Sequence, residues 1–229
     1  MKQVLYGFVM VSIIAGVLIG GDVNGKVSFD GKAPAAAKIQ MNADPVCKKV
    51  HKADVFSEDV VVNSNGTLKN VLVYVKDGLG GKSFSAPTTK VLFDQTGCQY
   101  VPHVLSMSVG QEVEVRNSDP TLHNVHSLSK LNPQFNQGQP NKGMKMTKKF
   151  DKAETFKVKC EVHTWMGAYI GVFNHPFHAV TGADGSFSLK GLPAGDYTIE
   201  AWHEKYGVQS GKVKVDAAGK ATLDFKFKG

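Results

Sequence analysis

Apolar and polar residues alternate along most of the chain beyond residue 22. Val23, Val27 and Phe29 share one parity, as do Leu105, Met107 and Val109, then Val113 and Val115, then Phe156 and Val158. The pattern returns at Phe187 and Leu189, Tyr197 and Ile199, Val213 and Val215, and Leu223, Phe225 and Phe227. A period of two marks strands with one buried face. Gly25, Gly31, Asn65-Gly66, Gly80-Gly81, Gly110, Asp184-Gly185, Gly191 and Gly195 punctuate these runs as turns. No sustained spacing of three and four residues occurs after the first twenty, so the chain is predicted to be all-β, built as sandwiches. Residues 130–149 break the pattern. They are polar and rich in Gln, Pro and Lys, and predict a long exposed loop that returns to a strand.

The N-terminus is different in kind. Met1-Lys2 precedes an apolar run from Val4 to Ile19 and then Gly20-Gly21. As a helix that run would extend about 24 Å at ~1.5 Å per residue, short of the ~30 Å hydrocarbon core. Residues 1–21 are therefore predicted to be a secretory signal, the alternative being a retained anchor. Either way the remainder is placed in the periplasm or outside the cell, where disulfides persist. Membrane association follows only if the segment is retained.

With 229 residues, 42% hydrophobic and 21% charged, the composition is globular and the length suits two domains. The net charge is +7, and among 27 Lys plus Arg the only Arg is Arg116. An exported chain almost without arginine is a poor candidate for reading nucleic acid. Three cysteines are too few for a disulfide-rich scaffold and divide naturally into one pair and one thiol.

The candidate chemistry lies after the strand ending near Lys159. Phe156, Val158 and Cys160 share the inward parity, and Cys160-Glu161-Val162-His163-Thr164-Trp165-Met166 follows. Cys, His and Met at intervals of three can converge from one tight loop. Upstream, Leu122-His123-Asn124-Val125-His126 follows another strand. Two imidazoles, a thiolate and a thioether form a soft donor set that selects copper over calcium, magnesium or manganese. A His₂Cys plane with a weak axial Met is the blue-copper electron-transfer arrangement.

This order of residues resembles the cupredoxins, the type 1 blue copper proteins, and among them the amicyanins and pseudoazurins. The resemblance covers about residues 88–174 and includes Tyr100-Val101-Pro102, Val109-Gly110-Gln111-Glu112-Val113, Asn117, His123 to His126 and Cys160 to Met166. It implies that His123, Cys160, His163 and Met166 hold one copper ion, and that Asn124 ties the two ligand loops together. It also implies that His163 lies near the surface in an apolar patch to which Trp165 belongs. His126, taken to share the face of His123, is the alternative first imidazole. Glu161 and Trp165 are departures from the family pattern.

With Cys160 taken as a ligand, Cys47 and Cys98 remain, and export favours a disulfide between them. The alternative is a second metal site, because His51 follows Cys47 and His103 follows Cys98. Seven Lys between Lys142 and Lys159, among them Lys145, Lys148 and Lys149, face only Asp151 and Glu154. They form either a solvated face or a docking surface for an acidic redox partner.

The flanks carry a second resemblance. Gly21-Asp22-Val23-Asn24-Gly25-Lys26-Val27-Ser28-Phe29-Asp30-Gly31 and Asp184-Gly185-Ser186-Phe187 through Pro193-Ala194-Gly195-Asp196-Tyr197-Thr198-Ile199 resemble the opening and closing strands of a carboxypeptidase regulatory-like, or transthyretin-like, β-sandwich. The predicted organisation is residues 22–86 and 178–229 as the two parts of that sandwich, with a cupredoxin-like Greek-key domain at 87–177 set between them. Two sandwiches in succession is the alternative. The function expected is one-electron transfer without catalysis, with a redox protein such as a c-type cytochrome or a periplasmic oxidoreductase as partner. A copper-binding or sensing module of a cell-envelope assembly is the alternative.

Overall fold

The structure is a computed structural model and describes residues 20–216 and 219–229. The predicted signal segment falls outside the described residues except for Gly20 and Gly21. In chain order the elements are β1 (Gly21–Asp30), α1 (Pro45–Val50), β2 (Leu72–Asp77), β3 (Val91–Thr96), β4 (Gln99–Val101), β5 (Val104–Ser108), β6 (Val113–Asn117), β7 (His123–Ser127) and β8 (Asn136–Gln139). They continue as β9 (Lys145–Lys148), β10 (Glu154–Lys159), β11 (Gly167–Phe173), β12 (His178–Val180), β13 (Ser186–Leu192), β14 (Gly195–His203), β15 (Gly207–Val215), β16 (Lys220–Thr222) and β17 (Phe225–Lys228). Among the described residues no helix is long and apolar enough to cross a membrane.

Four sheets make two sandwiches. In the first, β5-β11-β10-β7-β8 faces β4-β3-β6-β9. Phe93, Met107, Val113, Val115, Val125, Phe156, Val158 and Ile170 fill the space between them. In the second, β13-β1-β16, with β17 also on β1, faces β12-β2-β14-β15. Its core holds Val23, Val27, Val73, Val75, Phe187, Leu189, Ile199, Phe225 and Phe227. Nearly every alternating pair in the sequence thus lands with its apolar member inside, because the pleat sends successive side chains to opposite faces. In chain order the strands of the first sandwich lie between β2 and β12 of the second.

The two sandwiches meet at a third, small cluster of Leu72, Val104 and Phe173, flanked by Tyr74, Tyr169, Val180 and Trp202. Gly171 sits at this seam. A Cβ there would approach Leu72 Cδ2 to 2.5 Å, so the seam closes only over a residue without a side chain.

Two expectations need correction. Residues 130–149 are not a single loop: β8 pairs with β7 and β9 with β6, both antiparallel. These strands lie at sheet edges, so the pleated core does not demand apolar residues from them and their sequence shows little alternation. Gln139 of β8 is buried, meeting Gln95 and the carbonyls of Val115 and Met144. The second correction concerns the 22–86 segment. Between roughly residues 37 and 57 the chain leaves the second sandwich and lies on the first one. Ile39 N–H donates to Val55 and Ser57 N–H to Ala37, closing a small arch. Met41 and Cys47 from this arch are buried in the first core. At its tip Asp44 caps α1, its Oδ1 accepting from Val46 N–H at 2.7 Å and Cys47 N–H at 3.2 Å, with Pro45 in the first turn. The arch is fastened by a disulfide between Cys47 and Cys98, so these cysteines are not the thiolates of a second metal site. His51 meets the Gly97 carbonyl.

Two thiol states follow. Unfolded without reductant, the protein is expected to give one titratable thiol per chain, from Cys160. After reduction it should give three, the full cysteine count; a thiol-specific chromophore measures both.

A pH dependence follows from two imidazoles. Burial, with His175 nearby, holds His178 down to about 4. Burial and the neighbouring His103 hold His203 to about 4, where its ring stacks on Tyr206. Both groups bind protons more readily unfolded, near the usual 6.5, than folded. Their contribution is therefore complete above about pH 6.5 and lost as pH falls towards 4. The urea midpoint should drop across that window, and His178→Phe should flatten the drop; equal slopes for parent and variant would refute the assignment.

Candidate metal centre

The register of β10 on β7 builds the site. Val158 lies opposite Ser127 and Lys159 opposite His126, which carries the residues after β10 across the start of β7. His123 opens β7 and shares inward parity with Val125. It is 0% exposed. Cys160 follows β10 at 3% exposure and His163 lies at 2%. The loop between them is a closed turn: Cys160 N–H donates to the Met166 carbonyl at 3.1 Å, and Met166 N–H to the His163 carbonyl at 2.9 Å. That turn swings His163 back over the sulfur.

Three donor atoms converge. His123 Nδ1 is 3.0 Å from His163 Nδ1, and Cys160 Sγ is 3.9 Å from His163 Nδ1. His123, Cys160 and His163 are all buried, with their ligand atoms within 4.8 Å of one another. Each imidazole has its other nitrogen on a carboxylate. His123 Nε2 is 2.9 Å from Asp119 Oδ2, and His163 Nε2 is 3.0 Å from Asp44 Oδ2. A carboxylate accepts, so each Nε2 carries a proton and each Nδ1 faces the cluster.

The electrostatics agree. Burial pushes the Cys160 thiol up, but the His123 ring and the backbone N–H groups of His163 and Val162 prevail and leave it below the ordinary thiol range. Val162 and His163 N–H both lie 3.4 Å from Sγ. Burial opposes charge on His123 as well, yet Asp119 and Cys160 raise it to about 8. Asp44, despite partial desolvation, falls to about 2 through His163 and the α1 N–H groups. Below about pH 8 the metal-free His123 ring carries a proton on both nitrogens, and a soft, thiophilic cation would displace the one on Nδ1 to gain that nitrogen beside the Cys160 sulfur.

The other residues singled out in the sequence fall into place around this cluster. Met166 is buried on the same turn and packs in the same core. Asn124 joins the two loops: its Oδ1 accepts from Glu161 N–H at 3.0 Å, and its carbonyl accepts from the Tyr100 hydroxyl. His126 does not share the face of His123. It stands three positions further along a strand, an odd spacing, and pairs with Glu161 outside the cluster. Glu161 also pairs with Lys159 at 2.9 Å. Lys145 pairs with Glu114 at 3.0 Å and Lys149 with Glu112 at 3.2 Å, while Lys148 lies 4.6 Å over the Phe135 ring. The basic strip is thus substantially offset by glutamates from β6 and its approach.

One expectation is overturned. His163 does not reach an apolar surface patch. The arch carrying Asp44 and Cys47 covers it, and Cys47 Sγ lies 3.6 Å from His163 Nε2. Trp165 is half-buried, its ring 4.9 Å from that of His163 and its Nε1–H donating to the Cys98 carbonyl at 3.0 Å. Sequence reading missed Asp44 and Asp119. Asp119 stands in the Asn117-Ser118-Asp119 turn, four residues before His123, a spacing within reach of a local contact. Asp44 lies 119 positions from His163 and carries no local signal.

Comparison with known proteins places these observations beside others. The model of the carboxypeptidase regulatory-like domain matches residues 166–228, from the end of the ligand loop through β11 of the first sandwich to β12–β17 of the second, without β1 and β2. No curated protein matches the chain. Among solved structures, a copper-containing nitrite reductase from Thermus scotoductus SA-01 is similar at 22% identity and a TM-score of 0.35, over 42% of this chain and 25% of that one. The chain thus spans a quarter of the length of that reductase. An amicyanin variant in its Cu(I) form is similar at 19% identity and a TM-score of 0.33, over 44% of this chain and 97% of that one. A purple cupredoxin from Nitrosopumilus maritimus is similar at 22% identity and a TM-score of 0.31, over 37% of this chain and 98% of that one. Cupredoxins are therefore among the solved structures this chain is similar to, and its second sandwich carries the regulatory-like match.

Proposed function

We propose that this chain is an exported mononuclear copper protein that passes single electrons between redox partners. The observation that carries the reading is the convergence of His123 Nδ1, His163 Nδ1 and Cys160 Sγ in a dry pocket. Met166, buried on the same turn, would supply a weak thioether donor. Bound copper would supply a one-electron couple between Cu(I) and Cu(II). The chain's part is to hold two nitrogens and one sulfur in a geometry that changes little between those states, and to exclude water and exogenous ligands. Two nitrogens, a thiolate and a thioether from this chain would fill the coordination of one copper ion, which favours transfer over catalysis.

Burial of His163 beneath the arch redirects the path. Electrons enter along the cleft lined by Cys160, Trp165, Met166 and Tyr169, where the Trp165 ring already touches His163. A redox protein such as a c-type cytochrome or a periplasmic oxidoreductase is the partner class, with an acidic face if the lysines around Lys148 steer its approach.

The covered His163 also supports the second reading, a copper-binding or sensing module of an envelope assembly. In that case the second sandwich makes the protein contacts and slow exchange at the metal is acceptable. Electrode kinetics separate the two. Rapid, reversible one-electron cycling supports transfer, and sluggish or irreversible cycling supports binding alone.

The copper-loaded protein is expected to bind one copper per chain and to show an intense visible charge-transfer band with a matching EPR signal. Cys160→Ser should abolish that band, whereas His126→Ala should leave it. Persistence of colour without the Cys160 sulfur would overturn the assignment.

A further inference from the structure

The two carboxylates behind the imidazoles are themselves joined. Asp119 stands on the backbone of Gly97 and Cys98: its Oδ1 accepts from Gly97 N–H at 2.8 Å and its Oδ2 from Cys98 N–H at 2.7 Å. Both residues have left-handed backbone, Gly97 at φ 63° and Cys98 at φ 53°. Two successive N–H groups in that conformation make a concave anion-binding nest. Asp44, on the other side, accepts from Cys47 N–H and holds Thr121 Oγ1 at 3.0 Å, a residue of the loop that delivers His123. The Cys47–Cys98 bridge connects these two supports.

The contacts form one closed ring. It runs from His123 to Asp119, to the Cys98 backbone, across the disulfide to Cys47, to Asp44 and back to His163. Trp165 braces it by donating to the Cys98 carbonyl while lying against His163. Gly97 and Cys98 are the two-residue turn of the β3–β4 hairpin, which requires this backbone at both positions, so the hairpin aims the Cys98 N–H at Asp119 and gives the bridge a fixed anchor. An isolated arch could drift by the ångström that decides whether Asp44 reaches His163. A covalent bond to the Asp119 support removes that freedom.

We infer that the Cys47–Cys98 disulfide is a positioning element of the metal centre, which through Asp44 and Asp119 fixes the tautomer and orientation of both ligand imidazoles. The inference rests on the copper reading for its functional meaning, but the Nε2–carboxylate contacts are present in the metal-free chain. Breaking the bridge frees the arch, weakens the carboxylate hold on Nε2 and lets Nδ1 take up the proton in part of the population. Copper then binds less tightly, because outer partners of metal-bound histidine contribute about 10–100-fold in affinity.

The test uses the full chain in four forms: parent, Asp44→Asn, Cys47→Ala with Cys98→Ala, and all three changes together. Asp44→Asn keeps a helix-capping side chain and the bridge, so it reports on the carboxylate even if the bridge-free form folds poorly. The first readout is long-range ¹H–¹⁵N correlation of the metal-free protein, at a pH where the spectra themselves show both rings neutral. The parent should show both imidazoles as the Nε2–H tautomer. The bridge-free form should show mixed tautomers, with Asp44→Asn affecting His163 alone. The second readout is copper affinity. Asp44→Asn and the bridge-free form should each lose about 10–100-fold, and the triple form should lose clearly less than the product of the two, because both act through one linkage. Unchanged tautomers and affinity in a folded bridge-free form would overturn the inference, as would multiplicative losses. A parent that holds both imidazoles as the Nε2–H tautomer but takes up no copper would overturn the copper reading and leave the lock standing.

Discussion

Everything at the centre depends on the antiparallel pairing of β10 with β7. That ladder sets Lys159 opposite His126, and so drops the next residue, Cys160, beside the inward face that begins with His123. A slip of one residue would turn Cys160 out to solvent and Glu161 inward, since strand side chains alternate. The register is held from both sides: β10 pairs over six positions with β11, and Val158 and Phe156 are locked into the core. The ligand loop then needs only its own two backbone hydrogen bonds to bring His163 over the sulfur. Precision at the site is thus inherited from a hydrophobic core, which resists small displacements because it is close-packed.

How far the fold could be read from the residues follows from what each strand faces. Strands with one wet and one dry face announce themselves, and Val113 with Val115, Phe156 with Val158 and Tyr197 with Ile199 are all buried as their parity requires. β8 and β9 are edge strands whose pairing rests on backbone groups and amide side chains, so their sequence, Asn136–Gln139 and Lys145–Lys148, looks like loop. The short helix α1 is invisible for another reason. Six residues cannot display a helical period, and its stability comes from Asp44 and from Cys47 seated in a distant core.

The site divides in the same way. His123, Cys160 and His163 stand in order with a diagnostic spacing, and their chemistry points to one class of cation. Their carboxylate partners are long-range or turn-borne, and no periodicity signals them. The surface position of His163 implied by family likeness fails here because of a segment that likeness does not cover. An arch from the other sandwich crosses over and covers the ring. Trp165, a departure from the family pattern, gains a reason in the same place, since its indole N–H finds the carbonyl of Cys98.

The nesting of one sandwich in the other has a consequence for how the molecule comes into being. β1 lies parallel to both β16 and β17, and Lys26 N–H is bonded to Asp224, 198 positions away. As the chain emerges in sequence, β1 meets Gly66 and Leu68 early, but its strand partners β13, β16 and β17 appear only after every strand of the inserted unit is complete. Contacts so distant in sequence are slow to close. The cysteines can therefore meet, and the donor pocket can take shape, on a nascent chain whose outer sandwich is still open and whose β1 still lacks its strand partners.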